Sequence, residues 1–147
     1  MKLVINFFLS RGCHYFHLPA CRKPRQRIHC LPVNIVDLAA RLRAFARERD
    51  WEQFHAPKNL AMALAVEAAE LMEHFQWLTE EQSAALSPAA KEQVATELAD
   101  VFIYTVRLAD RLGVDLEPAV EAKILANAAK YPVEKSRGSA KKYSQLE

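Results

Sequence analysis

Residues 60–77 form a run that can scarcely be anything but a helix: good helix formers throughout, no Gly or Pro, and Leu60, Leu64, Leu71 and Phe75 recurring at helical spacing. Glu67 stands on that apolar stripe, where an ordinary amphipathic helix would carry another Leu. Glu70 follows one turn later, and side chains three apart share a face. Between Lys58 and Lys91 there is no Lys or Arg, so Glu67, Glu70 and Glu73 have no cation nearby in sequence.

A second run, residues 90–112, repeats the device. Val94, Val101, Tyr104 and Leu108 make a stripe that Glu97 interrupts, and Asp100 follows at i+3. Packed as neighbours, the two helices bring four carboxylates together. Leaving such charges close and partly buried without compensation costs at least several kcal/mol. An all-oxygen ligand set favours a hard cation such as Mg2+ over zinc. Carboxylates holding Mg2+ suit phosphoryl chemistry, and the chain has no Gly-rich phosphate loop and no His-Glu-x-x-His.

The remaining punctuation points to an all-α domain. Only three Gly occur in 147 residues, and alternating strand-like runs are scarce beyond residue 34. Asn34 or Asp37 caps a first helix with Ile35, Leu38, Leu42, Phe45 and Ala46 inward, ending before Pro57. Asn59 is a candidate cap for the second helix, which should run to 77–79. A short polar loop over 80–88 then makes the second and third helices antiparallel neighbours, with Ser87 and Pro88 opening the third. Gly113 closes that helix, Asp115 caps a fourth, Val120, Ile124 and Leu125 or Ala128 face inward, and Tyr131-Pro132 stops it. Four helices of this length leave apolar surface to spare, including Met72, Phe102, Ile103 and Val106, as expected of a chain that assembles with copies of itself.

Residues 1–33 differ in character. With residues 34–36 they hold six of the 20 Lys and Arg and no acid, so the formal charge of +2 overall becomes −4 over residues 37–147. The segment is expected to be a poorly ordered basic extension, and residues 34–147 the domain, ending in a basic tail. Cys13, Cys21 and Cys30 all lie in the extension, an odd number unsuited to a disulfide framework. With His14, His17 and His29 they do not repeat the paired spacing of zinc sites. No stretch is long and apolar enough for a bilayer, and a cysteine-free domain fits a cytoplasmic location. Nucleic acid is not an expected partner of the acidic domain.

Glu67-x-x-Glu70 followed by Glu97-x-x-Asp100 resembles the MazG-like all-α nucleoside triphosphate pyrophosphohydrolases. The blocks Glu48-Arg-Asp-Trp-Glu-Gln-Phe-His55, Pro57-Lys-Asn59, Phe75-Gln-Trp77, Glu97-Leu-Ala-Asp-Val-Phe-Ile-Tyr104, Lys130-Tyr-Pro-Val133 and Ser136-Arg-Gly-Ser-Ala-Lys-Lys-Tyr143 are similar to the dCTP pyrophosphatase branch. The resemblance implies a four-helix MazG-like bundle, a dimer or tetramer, that cleaves between the α and β phosphates of dCTP or modified dCTP to give the nucleoside monophosphate and pyrophosphate. It implies Mg2+ on Glu67, Glu70, Glu97 and Asp100. Trp51 and Trp77 would enclose the base, with Asn59 in the pocket. Lys123, Asn127 and Tyr131 would contact phosphates or sugar, and Arg137 and Lys141 the phosphates. Val66 stands where the wider family has a further Glu, as in the dCTP-preferring branch. Leu42 stands where that branch has a His, which leaves open a broader activity on noncanonical triphosphates. A non-catalytic nucleotide- or protein-binding helical module is the alternative from another class.

Overall fold

The computed structural model describes residues 34–145, and every regular element among them is helical. The extension over residues 1–33, with its cysteines and histidines, lies outside the described residues. In order come α1 (Ile35–Arg47), a 3-10 turn (Glu52–Phe54), α2 (Pro57–Glu73), α3 (Glu80–Ala84), α4 (Pro88–Leu112), α5 (Leu116–Lys130), α6 (Val133–Ser136) and a last 3-10 turn (Tyr143–Gln145). The four long helices stand where the apolar periodicity put them. No helix among the described residues is long and apolar enough to cross a membrane.

The chain divides into two compact units, one ending at Leu108 and one beginning at Ala109. In the first, Asn34 starts α1 by accepting the Val36 and Asp37 N–H groups on its side chain. The helix ends in a Schellman turn: Trp51 N–H reaches Ala46 C=O, Asp50 N–H reaches Arg47 C=O, and Asp50 takes the left-handed conformation at φ 53°. Phe45 and Trp51 meet edge to face across that turn at 5.9 Å, the apolar contact such a turn favours. Ala46, Leu60 and Val106 are buried here, one from each long helix of the unit.

Several expectations need correction. Ala56, not Asn59, is the N-cap of α2, because Pro57 takes the first helical position, where its missing N–H costs nothing. That helix ends at Glu73 rather than near Trp77. The chain turns through residues 74–77 so that Thr79 can start α3 with a capping box, its hydroxyl on Gln82 N–H and the Gln82 side chain on Thr79 N–H. The supposed loop over 80–88 therefore contains a helix. Ser87 and Pro88 do open α4, with Ala90 N–H on Ser87 Oγ. Phe45 is exposed despite its place on the inward stripe, and Val106 belongs to the core rather than to the spare surface.

In the second unit, Gly113 at φ 65° closes α4 by a Schellman turn, with Val114 N–H on Ala109 C=O and Gly113 N–H on Asp110 C=O. Asp115 caps α5 through Glu117 N–H. Within the chain α5 buries no side chain: Val120, Ile124 and Leu125, expected to face inward, are 52%, 54% and 69% exposed. Its apolar residues follow the helical period without meeting a partner surface in their own chain. Beyond α5 the tail folds back locally, Tyr143 packing edge-on against Tyr131 at 6.1 Å with the Lys130 ammonium over its ring.

Candidate functional site

The apolar run of α2 and the apolar run of α4 force their interruptions into the same place. Glu67, Glu70 and Glu97 each offer a carboxylate oxygen, all within 4.8 Å of one another. Glu67 is only 6% exposed, Glu70 and Glu97 are half-buried, and so is Asp100. Asp100 stands outside the three-way set, yet among the carboxylates its charge acts most strongly on Glu67.

The electrostatics follow from that crowding. Burial first, then the charges of Asp100, Glu70 and Glu97, push the Glu67 carboxyl up to about 7. Burial also raises Glu97, reinforced by Glu70 and Asp100 and opposed by His74, and burial raises Asp100. Every charge acting on Glu67 is negative. A cluster so built repels its own ionised form, and a divalent cation resolves the conflict by taking the carboxylate oxygens as ligands. The donor set is all oxygen, which fits Mg2+.

Tyr104 belongs to this site although the sequence gave it the role of a core aromatic. Its phenol is pushed up to about 12 by burial and by the charges of Glu67 and Asp100. It therefore stays a neutral O–H beside the carboxylates. The missed signal was spacing: Glu97, Asp100, Tyr104 and Arg107 fall at i, i+3, i+7 and i+10, a single helical stripe. His74, just past the end of α2, is a second group that only the fold reveals.

The other expected residues fall in two sets. In the first unit Trp51 is half-buried against Phe45. Asn59 is exposed on the first turn of α2, its Nδ2 donating 2.9 Å to Phe54 C=O. Trp77 is 86% exposed, an unusual amount of indole left in water. Lys123, Asn127, Tyr131, Arg137 and Lys141 belong to the second unit, all exposed, the first two on α5 one turn apart. The contacts within the described residues assign these five no common site.

Comparison with known proteins adds a consistent set of relatives. A family model described as MazG-like matches residues 62–146. The chain is similar to dCTP pyrophosphatase 1 of Bos taurus, 51% identical over 104 residues that cover 69% of this chain and 62% of that protein. It is likewise similar to the Homo sapiens protein of the same name, 48% identical over 104 residues covering 69% and 61%. This chain thus spans about three fifths of the length of the curated relatives it matches. A crystal structure of a pyrophosphatase from Archaeoglobus fulgidus aligns with a TM-score of 0.64 at 36% identity, covering 72% of this chain and 99% of that one.

Proposed function

We propose, from the premise that this chain belongs to the MazG-like family, that it is a Mg2+-dependent nucleoside triphosphate pyrophosphohydrolase acting on dCTP or modified dCTP. The observation that carries this is the convergence of Glu67, Glu70 and Glu97, with Asp100 beside them, in a partly buried cluster whose charges are all of one sign. The relatives named dCTP pyrophosphatase 1 share this stretch of chain and supply the substrate class.

Glu67, Glu70, Glu97 and Asp100 would hold the metal. When bound, Mg2+ neutralises phosphate oxygens and lowers the pKa of water for attack at phosphorus. The chain's own groups do the rest. The carboxylates surrender their shared protons as the site fills, and Tyr104 offers a neutral O–H that a phosphate oxygen can accept without adding charge. Trp51 and Trp77 present flat apolar faces suited to a base, and Asn59 lies next to the Trp51 corner through its bond to Phe54. Lys123, Asn127, Tyr131, Arg137 and Lys141 are proposed as phosphate and sugar contacts, since their donors match an anionic ligand. The products are the nucleoside monophosphate and pyrophosphate.

The exposed apolar face of α5, with Leu98 and Phe102 on α4, supports a homo-oligomer, a dimer or a tetramer. A cytoplasmic location is proposed on the cysteine-free domain alone. Leu42 in place of the branch's His favours a second reading, a broader activity on noncanonical triphosphates. Incubating the protein and Mg2+ with dCTP, dTTP, dUTP and 5-modified dCTP, then separating the products, decides between them. A steep preference for dCTP and its derivatives supports the first reading and a flat profile the second. Release of inorganic phosphate with a diphosphate, or nucleotide binding without turnover, defeats both and leaves the non-catalytic binding module.

A further inference from the structure

One buried charge in the first unit has no part in the chemistry above. Arg107 on α4 is 3% exposed, as deeply placed as any core residue. It lies two turns beyond Asp100 on the same stripe. From there its guanidinium reaches a segment 52 residues earlier: Nε donates 3.3 Å to His55 Nδ1, and Nη2 lies 3.5 Å from Glu52 Oε1. Glu52 opens the 3-10 turn that follows Trp51, and His55 ends it. The acceptor role of Nδ1 makes His55 neutral, with its proton on Nε2.

The corner so gripped is the one that presents Trp51. Its near end is pinned to α1 by the Trp51 N–H bond to Ala46 C=O and by the Phe45 edge contact, and its far end to α2 by Asn59 on Phe54. Arg107 is the described contact that joins the middle of the corner to α4. An apolar residue would fill the same volume without the desolvation cost of a buried guanidinium. What Arg supplies that Leu or Met cannot is direction, because its planar fork fixes two acceptors at once.

We infer that Arg107 is a positioning residue: through Glu52 and His55 it locks the Trp51 corner to the helix that carries Glu97 and Asp100, and so sets base recognition without touching the reacting phosphates. The inference rests on the proposed function for the role of Trp51, though the mechanical coupling itself does not.

Two variants test it. Arg107→Lys keeps the charge but cannot serve both acceptors, and Glu52→Ala removes the ionic half from the half-exposed side. The chain has two Trp, Trp51 and Trp77. In a Trp77→Phe background, acrylamide quenching of Trp51 without nucleotide reads the corner directly. Kinetics are measured with both tryptophans present. Arg107→Lys should raise the quenching constant about twofold and KM for dCTP about tenfold, narrow the preference for dCTP over dTTP, and leave kcat within about twofold. Glu52→Ala should move the same quantities less, in the same direction. Unchanged quenching and KM in both variants, with only a lowered Tm, overturns the inference; if Arg107→Lys fails to fold, Glu52→Ala decides alone. A wild-type protein that hydrolyses nothing defeats the proposed function, whereas the quenching result still upholds or overturns the coupling.

Discussion

Glu67 concentrates the physics of this protein in one carboxyl. It is buried among acids, and its proton is held to about pH 7 against an ordinary value of 4.5. The folded metal-free protein therefore binds more protons than the unfolded chain between those values. Its stabilising contribution is complete below about 4.5 and lost as pH rises through about 7. Glu97 and Asp100 are shifted the same way and add to the trend. Thermal melts in chelator should show Tm falling from pH 5.5 to pH 8, and Glu67→Gln, which removes the titrating group, should flatten the fall. Added Mg2+ should stabilise most above pH 7, where it no longer competes with protons. Calorimetry in buffers of different ionisation heat would detect the protons released. Replacing an outer-shell partner of a metal ligand typically costs about 10- to 100-fold, so loss of a direct ligand in Glu67→Ala or Asp100→Ala should lower turnover beyond about 100-fold. Activity within tenfold of wild type in either variant would remove that residue from the site.

At the scale of elements, caps decide where the site-bearing segments stop. Asp50 closes α1 in a left-handed conformation that Asp tolerates better than most residues, and its carboxylate and carbonyl both accept from Gln53 Nε2. Asp50→Gly relieves the backbone but loses the side-chain bond, so its stability should change by less than about 1 kcal/mol, whereas Asp50→Val, a β-branched residue forced to positive φ, should cost more than about 1 kcal/mol. Denaturant melts of the pair separate the two effects. Thr79 has a comparable duty: its capping box turns the chain away from α2 and exposes Trp77. Thr79→Ala should cost about 1 kcal/mol in the same melts. The box Thr79-x-x-Gln82 was legible in the sequence and was read as loop because five residues of helix leave almost no apolar period. Asn59 failed as a cap for the opposite reason, a strong side-chain preference overruled by Pro57 two positions earlier.

At the scale of the whole molecule, the imbalance of apolar surface is the dominant fact. Among the described residues four apolar side chains are buried, Ala46, Leu60, Val106 and Ala109, while seventeen large ones are exposed. Sedimentation equilibrium should therefore find an assembly rather than a single chain. Ile124→Glu or Leu125→Glu should dissociate it and lower its Tm, because a charge cannot be buried in an apolar contact without a partner. An unchanged sedimentation profile in both variants would clear α5 of any role in assembly.

By itself the sequence determined the helices, because 3.6-residue periodicity, few Gly, and the caps Asn34, Ser87, Gly113 and Asp115 are local instructions that need no distant partner. It also determined which carboxylates matter, since an acid on an apolar stripe marks itself. Only the tertiary structure decided that three of those carboxylates lie within 4.8 Å while Asp100 stands apart, that Tyr104 faces them, and that Arg107 grips the Trp51 corner. Those relations join residues dozens of positions apart, and local spacing says which face a side chain takes but not what the fold sets against it.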